Sequence, residues 1–208
     1  MKAGYLSAAI AGAFLLAAVP ARADVYTFNT DNCTGGCLPF AGTISVTPDG
    51  TDTVLIDVEG TGFQFVDSSG KPNQFFFNIL GNPTISVSFI TPGFILTSTT
   101  AGALGGSGWT FDYAVSCMTG ADPCGPGGSN PKNPPLKFDV TATGLTVASF
   151  NDFNGGTPVQ FAADVLANGN TGLVGATMTS STVPEPISSA LVGTGLLALF
   201  FVRRRVRG

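Results

Sequence analysis

Along residues 53–59 the side chains alternate with a period of two: Val54, Ile56 and Val58 share one face of an extended chain, and Thr53, Leu55, Asp57 and Glu59 share the other. Successive side chains of a strand point to opposite sides, so this spacing predicts a strand with one face on a core and the other mostly in water. Similar short runs recur at residues 25–28, 43–47, 63–66, 75–80, 85–90, 94–97, 109–117, 136–143, 159–165 and 174–179. Between them fall Pro48-Asp49-Gly50, Gly81-Asn82-Pro83, Asn154-Gly155-Gly156 and Asn168-Gly169-Asn170, residues that fix φ or tolerate positive φ and so turn the chain. With 28 glycines and 14 prolines interrupting any long helix, the expected fold is all-β: a two-sheet, jelly-roll-like β-sandwich over residues 24–179. Residues 118–135, rich in Gly, Pro and Asn, read as a long surface loop.

The charges are segregated. Between Asp24 and Thr182 there are 12 acidic residues against Lys71, Lys132 and Lys137, a net charge of −9, while Arg203, Arg204, Arg205 and Arg207 crowd the last six positions. A body this acidic repels phosphate backbones, so nucleic acid is not an expected partner. The sequence contains no histidine, which removes Ser-His-Asp and Cys-His catalysis and imidazole metal sites. Asp57 and Glu59 share a strand face roughly 7 Å apart along the strand, but a hydrolytic carboxylate pair faces itself across a cleft. The body is therefore expected to be non-enzymatic, with no cofactor and no metal.

The four cysteines fall in two local pairs, Cys33 with Cys37 and Cys117 with Cys124. Neither gap matches the Cys-x2-Cys spacing of zinc ribbons, and the Gly35-Gly36 turn brings Cys33 back toward Cys37, so disulfides are expected. Short gaps favour local pairing, with cross-pairing of two neighbouring loops as the alternative. The oxygen-rich turns at residues 49–52 and 151–155 read either as calcium sites or, as the preferred reading, as Asx turns without a metal, since neither completes an EF-hand pattern. Trp109, Phe111 and Tyr113 stand at i, i+2 and i+4. They form either a stacking platform for a sugar or, as the preferred reading, part of the core. Phe75-Phe76-Phe77 must divide between the two faces of its strand.

The two ends carry a different chemistry. Lys2 is followed by an apolar run over residues 5–19, then Pro20 and the small-residue pattern Ala21-Arg22-Ala23 before Asp24. This is the layout of a cleavable signal peptide over residues 1–23, too short to span a bilayer that needs ~20 apolar residues. It implies the Sec export machinery as a partner, and export in turn favours disulfides. At the other end Val183-Pro184-Glu185-Pro186 precedes an uncharged stretch, residues 187–202, and then the arginines. At ~1.5 Å per residue that stretch spans roughly 24 Å, which snorkelling arginines or local thinning match to a ~30 Å hydrocarbon core. The positive-inside rule leaves the body outside and residues 203–208 in the cytoplasm.

At these residues the chain resembles the PEP-CTERM family of exported bacterial proteins, whose sorting signal joins a Pro-Glu-Pro motif, a short hydrophobic helix and an Arg-rich end. The resemblance implies recognition by an exosortase, a membrane-embedded cysteine protease-like enzyme, in bacteria that make exopolysaccharide. It covers only about the last 26 residues and leaves the body unassigned. The expected layout is a sandwich body, a stalk over residues 180–186, an inner-membrane helix over residues 187–202 and the arginine stop. The expected function is a structural or interaction role at the cell surface or in extracellular matrix, with exopolysaccharide binding as the alternative.

Overall fold

A computed structural model describes residues 23–67, 73–98, 108–117, 129–153 and 158–182. Residues 1–22 of the signal peptide expected over residues 1–23, and the membrane helix expected over residues 187–202, lie outside the described residues. Among the described residues, no helix is long and apolar enough to cross a membrane.

Each expected alternating run contains a strand, although residues 75–80 and 109–117 are strand only over Phe75–Phe77 and Tyr113–Cys117. The strands are β1 (Ala23–Cys33), β2 (Ala41–Pro48), β3 (Thr53–Thr61), β4 (Phe63–Phe65), β5 (Phe75–Phe77), β6 (Ser86–Phe89), β7 (Phe94–Ser98), β8 (Tyr113–Cys117), β9 (Leu136–Thr141), β10 (Phe161–Ala167) and β11 (Asn170–Thr182). A 3-10 turn, Val147–Phe150, follows β9. The alternation is read out as predicted in β3, where Val54, Ile56 and Val58 are buried and their neighbours are not. β11 continues through Thr182, so residues 180–182, expected in the stalk, are strand backbone.

The strands do not divide into two sheets. They form one antiparallel, near-barrel sheet in the order β6-β9-β3-β2-β1-β11-β10-β5-β8-β7, with β4 also pairing with β10. The join between the halves is β1 on β11, registered from Ala23 opposite Thr182 to Cys33 opposite Gly172. Alternation says which side chains face a core but not which strands share hydrogen bonds, and these two long strands bridge what the sequence suggests are separate sheets.

The concave face is filled by aromatic rings. Phe161 meets Tyr26 edge-on at 4.7 Å between centroids and stacks on Phe75 at 5.9 Å, while Phe77 stacks on Tyr113 at 5.2 Å. Offset and edge-to-face arrangements of this kind add to the burial of the rings themselves. Gly42 and Gly60 face each other across β2 and β3. A Cβ on Gly60 would sit 2.2 Å from the Ala41 carbonyl oxygen, and one on Gly42 would sit 2.7 Å from the Phe28 ring. Glycine is what allows the rings to press on backbone there.

A smaller apolar cluster lies on the opposite face, formed by Phe76, Trp109, Phe111, Ala114, Val159, Ala162 and Leu173. The three consecutive phenylalanines thus divide as strand geometry demands, and both sides are buried. Trp109, Phe111 and Tyr113 do not share a face. The buried Asn78 side chain accepts the Asp112 N–H at 2.8 Å, and regular pairing begins only at Tyr113. Tyr113 enters the main core while Trp109 and Phe111 turn to the other side, and all three are buried. A Cβ on Gly175 would lie 3.0 Å from the Trp109 ring, so that indole packs on the bare backbone of β11.

Trp109→Ala is expected to lower unfolding free energy by ~3–5 kcal/mol, the range for truncating a buried aromatic. Leu80→Ala, at a 68% exposed position, should change it by less than ~0.5 kcal/mol. Urea denaturation of the two variants checks both values.

Candidate functional site

The cysteine loop is built from the turn outward. Gly35 and Gly36 adopt φ of 93° and 85°, and the Gly36 N–H donates to the Cys33 carbonyl at 3.2 Å, folding Cys33 back onto Cys37. The two form a disulfide with a Cα separation of 5.6 Å, the local pairing that the spacing favoured. Cys117 is also disulfide-bonded, and Cys124 lies outside the described residues. The hairpin turn between β10 and β11 clamps the loop, since Asn168 Nδ2 donates to the Cys37 carbonyl at 2.7 Å and Asn170 Nδ2 to the Gly36 carbonyl at 2.8 Å.

Asp31 holds the loop from its other side, a role the sequence did not suggest. Its Oδ1 accepts the Cys33 N–H at 2.9 Å, and its Oδ2 accepts the N–H groups of Cys37 and Leu38, each at 2.8 Å. Burial works to raise the carboxyl pKa, but the backbone donors of Leu38, Cys33 and Cys37 together outweigh it and hold the group below its ordinary value. Asp31, Cys33 and Cys37 are the one grouping of three potential metal ligands among the described residues. With both sulfurs in the disulfide and the carboxylate engaged by backbone, the set is a structural staple.

Several other acidic positions make sheet and turn contacts. Lys137 stands opposite Asp57 in the β3–β9 register, and its ammonium reaches Asp57 at 2.6 Å and Glu59 at 3.0 Å. Hydrogen bonds to Asp57 and then Glu59 raise the Lys137 pKa. This is cross-strand ion pairing on a solvated face, without a facing cleft between the two acids. In the turn at residues 49–52, Asp52 Oδ1 accepts the Gly144 N–H at 3.1 Å. Asn151, from the other oxygen-rich turn, accepts the Tyr26 hydroxyl at 2.8 Å. Asp139 is raised in pKa by burial and then by neighbouring Asp49.

One surface feature was not legible in the sequence. On the outer face of the sheet Thr27, Thr43 and Glu59 stand side by side across β1, β2 and β3. They line a groove of about 680 Å³ together with Phe40, Pro134 and Pro135. The next residues along the chain, Gly62 to Gln64 after Thr61 and Asn133 before Pro134, line a second depression of about 400 Å³ with the Asn168-Gly169 turn. Phe40 is held by tilted contact with Phe63 at 4.7 Å and Phe28 at 5.7 Å. Gln64 Nε2 donates to Asn133 Oδ1 at 2.9 Å.

Denatured, non-reduced protein is expected to take up no iodoacetamide, and reduced protein to take up four equivalents at its four cysteines, read by intact mass. Asp31→Asn should lower stability at neutral pH by ~1 kcal/mol through weaker charge-assisted hydrogen bonds. Because the folded Asp31 pKa is depressed, its contribution is present above the ordinary value of 3.8 and is lost as pH falls through the folded value. The variant should therefore show a flatter loss of stability below that pH, measured by urea titration across the acid range.

The comparisons with known proteins bear on the end of the chain beyond this body. No curated protein and no solved structure matches the chain. The expected sorting residues Val183, Pro184, Glu185 and Pro186, the stop residues Arg203, Arg204, Arg205 and Arg207, and Ala21 before the expected signal cleavage lie outside the described residues. Ala23 and Asp24 open β1. The model of the PEP-CTERM protein-sorting motif matches residues 182–205, so the chain carries that motif at the end of β11, and the motif implies an exosortase as its processing partner.

Proposed function

We propose that the chain is an exported, non-enzymatic surface protein whose β-sheet body has a structural or interaction role at the cell surface or in extracellular matrix. The observation that carries this reading is the sorting motif over residues 182–205. Its order places Pro184-Glu185-Pro186 outside the bilayer, residues 187–202 within it and the arginines inside. Moving the four arginines through the bilayer core would cost on the order of 2.5–3.5 kcal/mol each, so translocation stalls with the motif on the outer face. An exosortase there cleaves near Pro186 and frees the body for transfer.

The body supports a non-catalytic role. The chain has no histidine, and the Asp57 and Glu59 carboxylates are both engaged by Lys137. The Cys33–Cys37 disulfide and the disulfide-bonded Cys117 suit an oxidising compartment and a domain that must persist outside the cell.

In cells that possess an exosortase, the mature protein should begin at Asp24 and end between Pro184 and Pro186, as read by intact mass. Replacing Arg203, Arg204, Arg205 and Arg207 with Ala should leave uncleaved or freely secreted precursor. Native protein still carrying residues 187–208, or normal processing of the arginine-free variant, contradicts the reading.

A further inference from the structure

The two adjoining depressions on the outer face have a lining unlike the rest of the acidic surface. Their polar groups are hydroxyls and primary amides: Thr27, Thr43 and Thr61 in the first, Gln64, Asn133 and Asn168 in the second. Glu59 is the one carboxylate among the groove-lining residues, and it shares the Lys137 ammonium, 3.0 Å away, with Asp57. A primary amide offers two donors and an acceptor with two lone pairs, so the Gln64–Asn133 bond leaves capacity on both side chains. Phe40 and the Pro134-Pro135 pair supply apolar surface to the same lining.

A ligand matching such a groove is elongated, rich in hydroxyls and apolar on its ring faces, and it carries no net charge. Sugar units in a chain meet each condition. Their C–H faces lie on an aromatic ring, and their hydroxyls both donate and accept, as amides and threonines require. The net charge of −9 on the body repels polyuronates and other anionic polymers. We propose that this double groove binds an uncharged polysaccharide chain, with Phe40 as its stacking platform and Thr43, Gln64 and Asn133 as its hydrogen-bonding groups. The proposal rests on the body being exposed outside the cell. It also moves the sugar contact away from Trp109, which is buried.

Affinity electrophoresis of the full chain in detergent micelles tests it. The gels contain hydroxyethylcellulose, dextran, galactomannan, the neutral polysaccharide fraction of the expressing cells, or alginate as the anionic control. Retardation is expected in at least one neutral gel and not in alginate, with Phe40→Ala weakening it at least tenfold. Phe40 also packs on core rings, so Thr43→Ala and Asn133→Ala, at exposed positions, provide the arm free of folding effects. Each should weaken retardation at least threefold with unchanged thermal unfolding. Absence of retardation in every neutral gel, retardation in alginate alone, or undiminished binding by the Thr43 and Asn133 variants overturns the proposal. Because binding is measured on unprocessed protein, its failure is separable from a failure of sorting, which is read from the mature C-terminus.

Discussion

The pairing of β1 with β11 is the interaction on which the rest of the molecule depends. It joins the half-sheet β6-β9-β3-β2 to the half-sheet β10-β5-β8-β7, and without it the path breaks in the middle. Two register shifts, between Val25 and Tyr26 and between Phe28 and Thr30, interrupt the ladder. Bulges increase the local right-handed twist, and a coiled sheet of this size encloses its own core. On the outside the pairing is reinforced by Thr27 with Thr179 at 3.0 Å and Asn29 with Thr177. On the inside Tyr26 and Phe28 place their rings among those of the other half.

This pairing is also the most non-local in the chain, joining its first described strand to its last. Loop closure over such a separation makes folding slow relative to local hairpins. In the proposed export path that order has a consequence. The body cannot close until β11 has crossed the membrane, and β11 ends at Thr182, where the sorting motif begins. Folding of the sheet and arrest of the tail thus fall at the same stage of translocation. The register also brings Ala23 beside Thr182, so the two ends of the body leave the sheet at one place.

What was legible in the sequence was local. Strand positions followed from alternation, as in Val54, Ile56 and Val58, because a half-buried strand imposes that pattern directly. The Cys33–Cys37 link followed from a short gap and two glycines. Partnership between strands was not legible, and this is why two sheets were expected where one is found. The run Trp109, Phe111, Tyr113 is buried, as its preferred reading has it, but its i, i+2, i+4 spacing does not put the three rings on one face. Asn78, distant in sequence, takes the Asp112 N–H and breaks the strand between the second and third rings. The groove has no signature in the sequence because its parts come from residues 40–43, 59–64 and 133–135, none of which carries a motif alone. Asp31 lacks one for a similar reason, since an acidic residue two positions before a cysteine is ordinary until the backbone donors converge on it.

Native-state hydrogen exchange of the full chain tests the single-sheet account most directly. If β1 and β11 are central strands, they are paired on both edges at Tyr26, Thr27, Val174 and Ala176, and those amides should exchange only through global unfolding, at the slowest rates in the body. If the halves are separate sheets, β1 and β11 are edge strands. Those four amides would then exchange through a lower-energy opening than the amides of Ile56 in β3 and Ala163 in β10, and that result would contradict the fold described here.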